Sequence, residues 1–590
     1  MDRSFRYKKN KFSIYCPDAE EVTLVIDDFD KSWSMKRNAR GAWAVTPDIP
    51  GQQLHNLSYH YRVRVGRSVR KVVDPMATRL AIVGGEYRSF FQQLYFQHKN
   101  NRFSAPPIDK IVIYESHLPA LSRHPSAAVT KEIYRGTYLG AAADHVLDHL
   151  QHLDVAVEFL PLHYSDRKLG GDWGYYSVLY SAMRDDFAVD KENANMEVMK
   201  TIDALHGRGI PVILDVVFNH GAELWVKAWG ENVVYRKLDD GGFCHGSGCG
   251  ATVKTENSHI RKVMIDTLLN LVKQYGFDGF RFDLGALHDK RTMLEIDKRL
   301  PKRVYLIAEP WALSGNQWGK QDMSDGFAHT RWAIWNDDFR ESARIFAQGY
   351  GDYQNRDRLM RSIVGSHVKD GGWALRPQQS INYISCHDGR TLADLVGGNK
   401  HRVFLSIFLV LTSQGIPMLG EGSEMLYTKH GHDNSYDRPD LNQLDWDSST
   451  QHRDLVEAVG RLVALRKQLK HFQYKGHLKA NDQKSGWWDI DWIYPTGYPH
   501  HDNVNAIAYI IRPPRRYQLW RRARHSLIIL LNGSHSGVNF QLPEGDWRVI
   551  VDGLRFKVNP PGFGVAPNAN HHYHLQPGTC AMLAPATLLP

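Results

Sequence analysis

Between residues 111 and 424 the chain repeats one pattern eight times, a short apolar run followed by a more polar, often helical stretch. The runs are IVIYESHLP from Ile111, AVEFLPLHY from Ala156, PVILDVVFNH from Pro211, GFRFDLGAL from Gly279, VYLIAEPW from Val304, RWAIWND from Arg331, SINYISCHD from Ser380 and GIPMLGEGSE from Gly415. Continuous apolar runs separated by helices are how parallel strands covered on both faces read. In SHIRKVMIDTLLNLVKQYG, residues Ile260, Val263, Met264, Leu268, Leu271 and Val272 share one helix face, and Gly276 stops the run. Eight such units predict a central (β/α)8 barrel, in which reacting side chains sit where strands end and the following loops begin.

The flanks have a different period. FSIYCP, VTLVID, WAVTP and YHYRVRV alternate apolar and polar positions between Asp, Gly and Pro clusters, which predicts a small N-terminal β-sandwich over residues 1–105. NRFSAPPIDK, from Asn101, reads as a linker into a barrel over 106–475. NAIAYIIR, HSLIILLNG and WRVIVDG predict a second β-sandwich over 476–590. The expected fold is thus multidomain, α/β at the centre with β flanks.

Composition excludes several classes. The formal charge of +9 is thinly spread, and its densest basic run, RRYQLWRRARH from Arg515, reads as a solvated hairpin, so no nucleic acid is expected. Five cysteines make no disulfide framework and fit a reducing compartment. MDRSFRYKKNKF lacks the apolar segment of a secretory signal, and the longest apolar run, VFLSIFLVL, has nine residues against the roughly twenty of a membrane span. A cytoplasmic protein with no membrane contact is the expectation. Neither GxxxxGK[ST] nor a helix-opening GxGxxG occurs, which argues against nucleotide cofactors. Cys244 and Cys249 lack CxxC spacing, and HHYH at His571 reads as a surface strand, so no metal site is expected. Trp33 and Trp43 fit either a sugar-stacking platform or sandwich core.

Acids gather at the strand ends. Asp283 closes FRFD, Glu309 closes LIAE, His387 and Asp388 close ISCHD, and Asp215 and His220 flank the end of VILDVVFNH. One acid at a strand end is more often a cap or a surface ion pair. Four such strands are different, because like charges buried together oppose one another, and without a chemical use they would only destabilise the fold. Glycoside hydrolysis gives them a use. A retaining mechanism employs one ionised carboxylate as nucleophile and one protonated carboxyl as acid, roughly 5 to 5.5 Å apart. Asp283 and Glu309 end consecutive strands. Arg281, two residues before Asp283, faces the same side of its strand and would keep that carboxylate ionised and oriented. Asp388 would stabilise the oxocarbenium-like transition state, with His387 and His220 donating to sugar hydroxyls. Trp311 and Trp335 are further aromatic candidates for the pocket.

DVVFNH, GFRFDLGAL, IAEPW and ISCHD resemble the four ordered regions of the α-amylase superfamily, glycoside hydrolase family 13, and fall on the third, fourth, fifth and seventh strands as that family has them. SGCGATVKTENSHIRKVMIDTLLNLVKQYGFDGFRFDL and HDNSYDRPDLNQLDW are similar to segments of the debranching enzymes: type I pullulanase, isoamylase and bacterial glycogen debranching enzyme. YCPDAEEVTLVI and VVDPMA resemble the carbohydrate-binding module that precedes such barrels. The resemblance implies hydrolysis of α-1,6 branch linkages in glycogen, limit dextrins or pullulan. It implies Asp283 as nucleophile, Glu309 as acid/base and Asp388 as transition-state stabiliser, with Arg281, Asp215, His220 and His387 lining the subsite for the cleaved glucose. Pullulanases carry a YNWGYDP-like motif after the second strand, where this chain has GDWGYYS. Trp173 and Tyr175 match, so Tyr175 is placed to stack on the sugar. The altered neighbours keep an α-1,4-acting amylase or maltodextrin hydrolase open, and a silent glucan-binding protein is the remaining alternative. Some family members bind calcium. No EF-hand spacing points to it here, and no cofactor is expected.

Overall fold

The computed structural model describes residues 10–29, 31–481, 489–496, 505–512, 526–556 and 572–585. The basic run 515–525, His571 and the first nine residues lie outside these.

The eight runs form eight parallel strands closed into a barrel: β1 Ile113–Ser116, β2 Ala156–Phe159, β3 Val212–Val216, β4 Gly279–Phe282, β5 Tyr305–Ala308, β6 Ala333–Trp335, β7 Ser380–Asn382 and β8 Ile416–Gly420. Closure is made by β8 pairing with β1, Met418 against Ile113. Alternate residues point inward. Ile113, Ala156, Ile213, Ile307, Ala333, Ile381, Ile416 and Met418 fill the lower interior as a small apolar cluster. The opposite set, including Val157, Leu214, Phe280, Phe282 and Leu306, joins the large core beneath the helices. Both faces are covered, so the runs read as continuously apolar.

Two local features depart from expectation. AVEFLPLHY is two strands: the barrel strand ends at Phe159, and after Leu160–Leu162 a second strand, His163–Ser165, pairs antiparallel with Ser177–Met183. Pro161 has no N–H to donate and falls where the barrel ladder stops. The helix Ser258–Asn270 widens into a π turn at Leu271–Tyr275 before Gly276, at φ 92°, ends it in the left-handed region.

Before the barrel, a three-stranded sheet (Phe12–Tyr15, Ala42–Val45, Lys36–Arg37) faces a larger one built on Glu21–Ile26 and Ser58–Val65. Between them lie Ile14, Trp43, Leu24, Tyr59 and Tyr61. Trp43 is core, its Nε1 donating to the Cys16 carbonyl, while Trp33 is half-exposed and donates to Asp48. After the barrel, a seven-stranded sheet centred on Ala506–Ile511, Leu527–Asn532 and Thr579–Pro585 packs one face on the pair Val538–Gln541 and His572–Leu575. His574 on that pair is exposed, bonded to Asn539. The sheet's other face joins the barrel's helical core, with the Tyr509 hydroxyl donating to the Thr412 carbonyl.

Candidate active site

The barrel's register sets the geometry. Asp215 on β3 lies opposite Arg281 on β4, and Phe282 lies opposite Ala308 on β5. The next residue on each of the last two strands is Asp283 and Glu309, so the two carboxylates stand at one height on adjacent staves, which run about 4.8 Å apart. Asp283 N donates to the Val216 carbonyl and Glu309 N to that of Phe282, continuing both ladders one step.

Arg281 is the hub. Its guanidinium is buried and lies 2.6 Å from Asp215, 3.1 Å from Asp283 and 3.0 Å from Glu309. Beneath it the Trp335 ring offers its face at 4.3 Å. Asp283 is also gripped by Asn219, whose amide donates to its carboxylate and to its carbonyl, both at 2.8 Å. Leu284, at φ 40°, adopts a left-handed conformation unusual for a branched residue, and its N–H donates to Glu309 Oε2 at 2.8 Å. Gly285 permits that turn: a Cβ there would meet the Ala308 Cβ at 2.8 Å and the Glu309 carbonyl at 3.0 Å.

One arginine does not neutralise this many acids. Burial, opposed by Arg281 and reinforced by Asp283, holds the Glu309 carboxyl above its ordinary pKa. Burial likewise pushes Asp215 up to about 7 in spite of Arg281. Glu158 on β2, next to Glu115 in the β1–β2 register, is raised well above the carboxylate range by burial and by Glu115 and Asp215. Glu309 in its protonated form and Asp283 on the arginine make a carboxyl–carboxylate pair of the kind that acid and nucleophile roles require.

The remaining predicted residues form a wall beside this pair. The Tyr175 hydroxyl donates to Asp215 at 2.5 Å, and its ring stacks on His387 at 4.9 Å and 17°. Trp173 sets its edge to His387 at 5.1 Å. Glu115 accepts from the His387 backbone N–H and pairs with its Nδ1 at 2.7 Å. Burial works against the imidazolium, but Glu115 outweighs it and the His387 pKa rises. His220 is buried, with its Nδ1 on Asn219. Trp311, two residues after Glu309, is half-buried with Arg340 over its ring.

Asp388 differs from expectation. β7 ends at Asn382, so His387 and Asp388 lie on the loop beyond it, and Asp388 is exposed and accepts no hydrogen bond from the described residues through its carboxylate. Five contributors were not singled out from sequence: Glu115, Glu158, Asn219, Asp172 and Lys429. Glu115, in IVIYESHLP, stands at a strand end and obeys the rule that found Asp283. The others carry no local signal.

Two groups of metal-ligating atoms lie within 4.8 Å of one another among the described residues: Glu115, Cys386 and His387, and His367, Asp370 and His477. In the first, Glu115 already holds His387 Nδ1. In the second, His367 Nδ1 accepts the Lys369 N–H, and His477 Nε2 pairs with both oxygens of Asp370. Both are internally satisfied, and neither offers the all-oxygen set that calcium takes. All five cysteines are unpaired.

Comparison with known proteins accords with this geometry. Residues 2–77 match carbohydrate-binding module 48, the isoamylase N-terminal domain. The chain is 26% identical to the pullulanase of Bacillus subtilis over 93% of its own length and 80% of the relative's. It is 28% identical to the glycogen debranching enzyme of an Enterobacter strain, covering 75% of this chain and 74% of that one. A pullulanase from Paenibacillus barengoltzii, solved in complex with maltohexaose and α-cyclodextrin, superposes with a TM-score of 0.81 at 28% identity, over 98% of this chain and 93% of that one. The chain is thus similar, along most of its length, to proteins named pullulanase and glycogen debranching enzyme. GDWGYYS stands where pullulanases carry the YNWGYDP-like motif; Trp173, Gly174 and Tyr175 match it, and the altered neighbours are packed. Asp172 is held by Arg123 at 2.6 and 2.8 Å and by His117 at 2.9 Å. Tyr176 sets its ring against His220 at 5.5 Å.

Proposed function

We propose that the protein hydrolyses α-1,6-glucosidic branch linkages of α-glucans (glycogen, limit dextrins or pullulan) by double displacement with net retention. The observation that carries this is the placement of Asp283 and Glu309 at one height on neighbouring staves, bridged by Arg281.

In the first step an Asp283 oxygen attacks the anomeric carbon, the bond to the leaving oxygen breaks, and the Glu309 proton passes to that oxygen. In the second step Glu309, now a carboxylate, takes a proton from water, whose oxygen displaces Asp283 from the anomeric carbon. Arg281 holds the Asp283 carboxylate in place at 3.1 Å. Tyr175 stacks on the glucose being cleaved, and Asp215, His220 and His387 bind its hydroxyls. Asp388, exposed at the mouth, takes its place as transition-state stabiliser when sugar fills the pocket. Trp173 backs the wall, and Trp311 flanks the acid. The names of the relatives, pullulanase and glycogen debranching enzyme, favour the α-1,6 linkage. We assign residues 1–105 to a carbohydrate-binding-module-like sandwich, 106–475 to the catalytic barrel and 476–590 to a second sandwich, with the cytoplasm as the site of action. Five unpaired cysteines support that location.

Digestion of pullulan tests the proposal. Maltotriose as sole product supports it. Panose or isopanose would assign α-1,4 cleavage instead, and glycogen binding without release of reducing ends would leave only a binding protein.

A further inference from the structure

We propose that Glu115 is a positioning residue for the reaction above: it seats the His387 ring in the pocket wall and holds it in the form that donates from both nitrogens. The assignment rests on the hydrolase reading, which gives His387 a glucose hydroxyl to bind.

Glu115 lies near the C-terminal end of β1, the strand that meets β8 to close the barrel, and its side chain is 3% exposed. Its two oxygens divide the work. Oε2 accepts the His387 backbone N–H at 2.6 Å, and Oε1 meets the ring Nδ1 at 2.7 Å. The loop that carries His387 reaches β1 across Gly420 of β8, where a Cβ would lie 3.2 Å from the Ser385 carbonyl. Lys429 donates to the His387 carbonyl at 2.8 Å, so both backbone polar groups of the histidine are tied down. Tyr175 covers one face of the ring, and Nε2 lies on the ring edge away from Glu115.

The chemistry of the pair follows from what Nδ1 is given. A neutral ring that spends its one N–H on a carboxylate presents a bare lone pair at Nε2, whereas the imidazolium presents a donor there. The Glu115 charge favours the second form, helped by Asp388 and opposed by burial and by Arg281 on β4. Behind the ring a cavity of about 20 Å3, room for one water, is lined by Glu115, Cys386, Glu421 and Lys429. In front of it stand Asp215 on β3 and Glu309 on β5, and the charge on His387 opposes the rise that burial imposes on both carboxyls. Glu115 thus acts on the reacting groups through His387, without touching the sugar.

Glu115→Gln keeps the shape and an acceptor but removes the charge. Its kcat/KM on pullulan, divided by the parent's, should be near one at acid pH, where the ring is protonated in both enzymes. The ratio should then fall about three- to tenfold as pH rises through the lowered His387 pKa, the difference between a charged donor and a neutral ring. Glu115→Asp, which keeps the charge, should give a ratio that does not change with pH, and in a His387→Asn background Glu115→Gln should add no pH dependence. In labelled-histidine NMR, the signal lost in His387→Asn should titrate at lower pH in Glu115→Gln than in the parent. A pH-independent ratio in the glutamine variant, the same slope in the aspartate variant, or an unmoved His387 titration would overturn the assignment. Should the glutamine variant not fold, the parent decides: its His387 must titrate above the ordinary histidine value, and a lower midpoint would overturn the assignment. If the parent frees no sugar from pullulan, the hydrolase reading fails, while the His387 titration still decides whether Glu115 holds the charge on the ring.

Discussion

Glu309 and Asp215 are carboxyls that burial holds above their ordinary range, with different consequences. For Glu309 the consequence is kinetic: the acid must enter the reaction protonated, so kcat/KM should fall as pH rises past its raised pKa. Glu309→Gln should abolish that basic limb and most activity on natural linkages, while a glycosyl fluoride, which needs no acid, retains much more. A pH profile of kcat/KM on both substrates checks this. For Asp215 the consequence is thermodynamic. In the unfolded chain it titrates near about 3.9, and in the fold near 7, so between those values the folded state holds an extra proton. The associated stabilisation is complete below about pH 4 and is lost as pH rises through 7. Asp215→Asn should therefore lose less stability between pH 4 and 8 than the parent, by roughly 3–4 kcal/mol, read from urea unfolding at each pH. Arg281, Asp283 and Glu309 were legible because strand ends in a barrel share one pocket. Glu158 was not: one acid in an otherwise apolar run shows neither its layer nor its neighbours until register sets it beside Glu115.

Among elements, the loop 170–177 shows why a motif can change and a site survive. Asp172 draws together the chain after β1, through His117 and Arg123, and the segment after β8, through Asn442. The carbonyl of Tyr436 accepts the N–H groups of Asp172 and Trp173, and a Cβ on Gly171 would lie 2.4 Å from that oxygen. Lys429, buried and over the Trp173 ring, donates to the His387 carbonyl. Asp172→Ala should remove the carboxylate that Arg123 and His117 share, leaving Arg123 only the Pro439 and Asn442 carbonyls, destabilise the fold by about 2 kcal/mol and raise KM more than it lowers kcat. Asp172→Asn, which keeps an acceptor and the shape, should recover much of both. Unchanged KM in the alanine variant would mean that the wall is held without it. These ties join residues far apart in sequence, so the motif's altered letters gave no hint of what they touch. The opposite holds for the strands: each of the eight was marked by its own apolar run. The split of AVEFLPLHY escaped notice because both pieces are apolar and only Pro161 marks the break.

The whole molecule is organised around that same wall. The N-terminal module packs Ala77, Leu80 and Tyr87 against Val178 and Leu179, just after Tyr175–Tyr176, and against Leu224, just after His220. The Trp225 indole donates to the Pro75 carbonyl, and Ser181 to that of Ala77. The module thus supports the back of the pocket. Leu80→Asp, which buries a charge in this contact, should lower kcat on a short maltotrioside too small to bridge module and pocket. An effect confined to polysaccharide would show the module acting only in substrate capture. The three-part layout was visible in the sequence because strand period changes from alternating to continuous and back. The docking of one part on another was not, since the contact residues read as ordinary core of their own units.

The central claim is that Asp283 attacks while Glu309 protonates. Glu309→Gln, mixed with α-maltotriosyl fluoride, should load faster than it unloads, because the leaving group needs no acid but the attacking water needs a base. Mass spectrometry of the peptic digest should then find one maltotriosyl unit on the peptide carrying Asp283, and the sugar finally released should appear first as the α anomer. A label on any other residue, or β product with no adduct, would contradict the account.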